Sequence, residues 1–182
     1  MLRFNSDHKF KIMQIADTQE IPAVSPDTLS LINNALDREK PDLVIFTGDQ
    51  IKGYSKKFKK DPVIIESTID ILVEPIAKRN IPFMVTYGNH DAQCGVDNRG
   101  QYKFYAKYDN FISGDLRNSD DVGTADIQIY SSTEDKPVFE LYIIDSHGKA
   151  KDGAGYAPVD KKQIEWYVSR REQLKAENGD YL

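Results

Sequence analysis

Four short polar segments of this chain carry residue types able to hold metal ions and move protons: Asp17-Thr18-Gln19, Gly48-Asp49-Gln50, Gly88-Asn89-His90-Asp91 and Asp145-Ser146-His147-Gly148. Carboxylates and amide oxygens suit hard divalent cations, while imidazole suits zinc, iron and related metals. A carboxylate placed between two cations ~3.5–4 Å apart can bridge them, and such a pair can clamp both oxygens of an in-line phosphoryl displacement. The glycines at 48 and 88 permit tight turns that bring the next side chain toward a shared point. Taken singly, an Asp or Asn at such a place is an ordinary turn former or helix cap. The joint occurrence of metal-ligand types at successive strand ends is what points to chemistry.

Those strand ends follow from the hydrophobic pattern. Residues 10–16 (FKIMQIA), 42–47 (DLVIFT) and 81–87 (IPFMVTY) read as buried strands, each ended by polar residues. Between them lie helical patterns. Ser25-Pro26 is a cap followed by a first-turn proline, with Leu29, Ile32 and Leu36 on one face. A second helix runs from about 62 to 79, with Ile65, Ile69, Leu72 and Ile76 inward and a kink expected at Pro75. A tyrosine-rich helix covers about 99–108, its Tyr102, Tyr105 and Tyr108 directed to the core. Two paired strands follow at 126–131 and 138–145. The last helix is expected to bury Ile164, Tyr167, Val168, Arg171 and Leu174. Strand–helix units in this order imply an α/β fold with a largely parallel central sheet. Right-handed crossovers then gather the strand C-termini on one edge, where open α/β sheets bind ligands.

Composition narrows the function classes. The chain has 182 residues, 40% hydrophobic and 29% charged, without internal repeat or linker, and is expected to form one domain over 1–182. Its 24 Lys+Arg against 29 Asp+Glu leave a net charge of -5, which argues against a nucleic-acid scaffold. Cys94 is the one cysteine, so neither an internal disulfide nor a Cys-based zinc site can form. No apolar run approaches the ~20 residues of a membrane span, and residues 1–11 lack signal-peptide design, so the expected location is cytoplasmic without membrane attachment. A cysteine-dependent phosphatase needs a Cys and an Arg with five residues between them around a phosphate cradle, and Cys94 and Arg99 have four. Here Gly100 occupies the place that Arg99 misses. The lysines at 56, 57, 59 and 60 read as a solvated loop.

In this order, each after a hydrophobic strand, Asp17, Gly48-Asp49 and Gly88-Asn89-His90-Asp91 resemble the motifs of the calcineurin-like metallophosphoesterase superfamily. Asp145-Ser146-His147, Gly155-Tyr156 and Gln163-Ile164-Glu165-Trp166 are similar to its purple-acid-phosphatase-related bacterial and fungal branch. The resemblance implies an αββα sandwich, incomplete here because the C-terminal strands are absent. It implies a phosphoesterase acting on phosphate-ester substrates through attack of a metal-bound hydroxide at a two-metal centre of divalent or trivalent ions (Mn, Fe, Zn or similar). In that reading Asp17 binds the first metal, Asp49 bridges both and Asn89 binds the second. His90 protonates the leaving group or stabilises the transferring phosphoryl, with Asp91 orienting it.

Two departures from the family pattern stand out. The first motif has Gln19 where the family has His, which implies a weak ligand. The later Gly-His-x-His motif is missing, so the chain resembles the N-terminal two-thirds of such a domain. His8 is expected at the surface, and His147 is expected to contact substrate rather than metal. Self-association through uncovered sheet surface is a further expectation. The alternative reading is a non-catalytic phosphate- or protein-binding module on a degenerate phosphoesterase scaffold.

Overall fold

A computed structural model describes residues 1–113, 121–150, 152–153 and 155–179. Its elements are β1 (Leu2–Arg3), β2 (Ile12–Ile15), α1 (Pro26–Glu39), β3 (Leu43–Thr47), α2 (Pro62–Ala77), β4 (Phe83–Thr86), α3 (Asn98–Ala106), β5 (Ala125–Tyr130), β6 (Pro137–Ile143) and α4 (Lys161–Asn178). Short 3₁₀ turns lie at Lys56–Phe58 and Asp91–Cys94.

The strands divide into two sheets, which corrects the expectation of one central sheet. β2, β3 and β4 form a parallel sheet in that order, while β5 pairs with β1 in parallel and with β6 antiparallel. One face of the parallel sheet meets the helices through Val44, Phe46, Phe83 and Val85, which pack with Ile32, Leu36, Ile65, Ile69, Leu72 and Ile76. Its other face meets the second sheet through Leu43, Ile45 and Met84 against Leu2, Ala125, Ile129 and Ile143. The layers are therefore helices, sheet, sheet and helix, the αββα sandwich that the resemblance implies. β3 and β4 are apolar on both sides because both sides are covered.

Local signals set the helix ends. Ser25 accepts from Asp27 N ahead of Pro26, and Asp61 accepts from Val63 N ahead of Pro62. Pro75 sits in the last turn of α2, so the helix runs on to Ala77. Among the three tyrosines, Tyr105 is fully buried, Tyr102 packs on Phe111, and Tyr108 donates to Asp70 at 2.7 Å. His8 is exposed, as expected, with Nδ1 3.1 Å from Ser132 Oγ.

α4 differs from its expected face. Gln163 and Leu174 are buried, whereas Ile164, Val168 and Arg171 point outward. The reason lies in the surface beneath. The outer face of the second sheet is polar, carrying Asp126, Glu140 and Tyr142, so the helix offers it Arg170 and aromatic rings. Arg170 Nε donates to the buried Asp126 at 2.9 Å, and Trp166 and Tyr167 meet Tyr142 edge-on at 6.0 and 4.9 Å.

Glu140 lies in this interface next to Asp126. Burial, reinforced by the Asp126 carboxylate, pushes its carboxyl up to about 8. The folded state thus holds this proton more tightly than the unfolded chain does. Stability from this group is complete below its ordinary value of 4.5 and declines as pH rises to about 8. Thermal melts across that window should show a falling midpoint in the natural chain and a flatter one in Glu140→Gln. Equal slopes would exclude Glu140 as the source.

Candidate metal and phosphoryl-transfer site

The loops leaving β2, β3 and β4 are stitched side by side at one edge of the parallel sheet. Asp17 N donates to Gly48 O (3.1 Å), Gln19 N to Asp49 O (2.9 Å) and Glu20 N to Gln50 O (3.1 Å). Asp17, Gln19 and Asp49 all adopt left-handed backbone, with φ of 53°, 41° and 53°. Such conformations are uncommon for residues with a Cβ, cost about 1–3 kcal/mol each, and persist where surrounding contacts over-determine them. The inter-loop bonds are those contacts. Gly48 and Gly88 touch back to back, and a Cβ on Gly88 would fall 2.0 Å from Asp49 Oδ1. The missing side chain is the space that the Asp49 carboxylate occupies.

Asp91 organises this edge from beneath. It is 1% exposed, and its carboxylate accepts from Asp49 N (2.7 Å), Gly88 N (2.8 Å) and Ile51 N (3.3 Å). Burial pushes the carboxyl up to about 6 while those three donors pull it down. The expectation that Asp91 orients the His90 ring is therefore corrected, since its oxygens face backbone N–H groups of two loops. His90 Nδ1 instead lies 3.0 Å from Gln93 Oε1, and Tyr54 packs on the imidazole with ring centroids 4.7 Å apart. The backbone N–H of His90 donates to Asp49 Oδ1 at 2.8 Å. The structure so brings Asp17, Gln19, Asp49, Asn89 and His90 together at one edge. Gln93 and Tyr54 were missed because neither stands in a motif.

The fourth strand end joins them. Gly148 lies against the backbone of Asn89, and Asn98 Nδ2 donates to Asp145 Oδ2 at 2.9 Å. Beside it opens a cavity of about 580 Å³, lined by Arg99, Asp121, Asp145, His147, Lys162 and Trp166 among others. Asp121, Asp145 and His147 offer ligand atoms all within 4.8 Å of one another. His147 Nε2 lies 3.6 Å from Asp160 and 4.0 Å from Asp121. Burial raises the Asp145 carboxyl, and the nearby Asp121 charge adds to this. Asp145 and His147 were legible from sequence, whereas Asp121 had no spacing signal. Gln163, at the start of α4, binds this group to the helix by donating to Asp121 and Thr124 at 2.8 and 3.0 Å.

Asp17, Asp49, Asn89 and Gln19 can contribute side-chain oxygens, and the His90 imidazole is engaged through Nδ1 with Gln93. The pocket that Gly88 leaves for the Asp49 carboxylate fits a group bridging two loops. These residues fit a hard, oxygen-liking divalent cation. Cys94 is buried, and that burial raises its thiol pKa, so it lacks the thiolate a cysteine nucleophile needs. The lysines at 56, 57, 59 and 60 are exposed around the buried anchor Phe58. Among the described residues, no helix is long and apolar enough to cross a membrane.

Residues 10–180 match the sequence profile described as calcineurin-like phosphoesterase. A probable inactive purple acid phosphatase 14 from Arabidopsis thaliana is 28% identical, over 97% of this chain and 50% of its own length. The phosphatase DCR2 of Saccharomyces cerevisiae is 31% identical, over 91% of this chain and 32% of its own. The chain thus spans half or less of the length of these relatives. The crystal structure of a dimetal phosphatase from Danio rerio shares the fold, with a TM-score of 0.53 at 15% identity, over 94% of this chain and 53% of that one.

Proposed function

Because the chain belongs to the calcineurin-like phosphoesterase family, we propose that it hydrolyses phosphate esters in a metal-dependent reaction at the shared edge of β2, β3 and β4. The observation that carries this reading is the meeting of Asp49 and His90. The carboxylate assigned to metal and the residue assigned to proton transfer are joined directly, through His90 N and Asp49 Oδ1 at 2.8 Å. Asp17, Asp49 and Asn89, with Gln19 as a weaker donor, would hold the metal. Bound divalent cations would supply positive charge to the phosphoryl oxygens and lower the pKa of water. The all-oxygen donors suit Mn²⁺ or Mg²⁺ better than Zn²⁺.

The rest falls to the chain itself. Asp91 fixes the Asp49 and Gly88 backbones, so the ligand carboxylate and the imidazole keep one relative position. His90, held through Nδ1, presents Nε2 to the site and delivers a proton to the departing alkoxide oxygen. Arg99 and Lys162 on the cavity wall supply positive groups for an anionic ester, and His147 adds a ring nitrogen able to hydrogen-bond it.

Metal analysis together with turnover of p-nitrophenyl phosphate tests the reading. Chelation should abolish hydrolysis and added Mn²⁺ should restore it. Asp49→Asn should lower metal occupancy, because a charged ligand becomes neutral. Protein that neither takes up metal nor turns over the ester would favour the second reading, a phosphate- or protein-binding module on the same scaffold. Gln19 supports that second reading, as do relatives whose names mark them as probably inactive.

A further inference from the structure

We infer that Gln93 is a positioning residue that fixes the tautomer of His90, an inference that rests on reading His90 as the proton donor of the proposed reaction. Three observations lead to it. Gln93 follows His90 by three residues in a 3₁₀ turn, where side chains three apart lie over one another, and Gln93 N donates to His90 O at 3.0 Å. The Gln93 side chain then returns to the ring, with Oε1 3.0 Å from Nδ1. An amide oxygen only accepts, so Nδ1 carries the hydrogen. Nε2, with no hydrogen-bond partner among the described residues, is left as the working nitrogen. It is a lone pair in the neutral ring and an N–H donor in the cation.

The ring is also prevented from turning. Tyr54 lies against the imidazole at 4.7 Å and 61°, and the Lys52 ammonium sits 5.2 Å from the other ring's centroid. The loop bearing Tyr54 is held close, because a Cβ on Gly53 would meet His90 O at 2.0 Å. Flipping the imidazole would lose the Gln93 bond, and the ring would have to turn past Tyr54 to do so. In the Asp-paired imidazoles of hydrolytic triads the partner both orients the ring and stabilises its charge. Gln93 does the first without adding a negative charge.

Nitrogen-15 NMR of the imidazoles tests this in the metal-free protein without substrate, at alkaline pH where the rings are neutral. The chain has three histidines, and His8 and His147 serve as internal references. His90 should show the Nδ1–H tautomer. Gln93→Leu, at an exposed position, should convert it to the Nε2–H form preferred by an unconstrained histidine side chain, and Gln93→Glu should restore Nδ1–H. An Nε2–H tautomer in the natural chain, or no change in Gln93→Leu, overturns the inference. Turnover is scored separately. Gln93→Leu should lower kcat ~10-fold with KM unchanged, by misplacing a general acid. An inactive natural protein that still shows the Nδ1–H tautomer would defeat the phosphoesterase reading and leave the positioning role of Gln93 intact.

Discussion

Asp91→Ala should lower the thermal midpoint by roughly 10–15 °C and abolish metal binding together with it. The substitution strands three backbone N–H groups, of Asp49, Gly88 and Ile51, against a cavity that no longer contains an acceptor. Leaving buried donors unsatisfied costs about 1–3 kcal/mol each, and relaxation of the loops would recover part, for a net of about 3–5 kcal/mol. At this chain length that loss corresponds to the stated shift. Asp91→Asn should fall between, because one oxygen still accepts while the new NH₂ group faces other donors. Differential scanning fluorimetry reads both. A midpoint within about 2 °C of the natural chain in Asp91→Ala would show that the loops hold without this carboxylate.

For catalysis the largest single effect is expected at His90. His90→Ala should reduce phosphoester turnover by ~10²–10⁴-fold, the usual range for losing a general acid. Metal content should stay unchanged, because the contact His90 makes with Asp49, the proposed ligand, comes from its backbone N–H, which alanine keeps. A substrate with a better leaving group should be affected less, since it needs less protonation. Loss of metal in parallel with activity would move His90 from the proton donors to the ligands.

Much of this fold is legible in the sequence. β3 and β4 announce themselves as unbroken apolar runs because both of their faces are covered, and the caps at Ser25 and Asp61 fix where α1 and α2 begin. The edge residues were legible because Gly48-Asp49 and Gly88-Asn89 combine a glycine that must be small with a donor that must be near. Other features depend on partners distant in sequence. Hydrophobic alternation marks β5 and β6 as strands but does not say that they join β1 in a second sheet. The inward face of α4 escaped a hydrophobicity argument because the sheet beneath it presents Asp126 and Glu140. The roles of Asp91 and Gln93 were out of reach because a carboxylate in the loop beyond a strand can face a ring or a backbone, and only the course of the loop decides.

The pairing of β1 with β5, Leu2 opposite Ile129, sets an order of assembly. β2, α1, β3, α2 and β4 make their contacts with neighbours in the chain, so this half can form as it leaves the ribosome. β1 emerges first yet has no strand to pair with until β5 is made. Its two residues wait through the synthesis of the whole parallel sheet, and the loop they close is among the longest in the molecule. Asp121, Asp145, His147 and the capping end of α4 belong to the later half. The edge assigned to metal thus takes shape early, and the cavity wall beside it is added last.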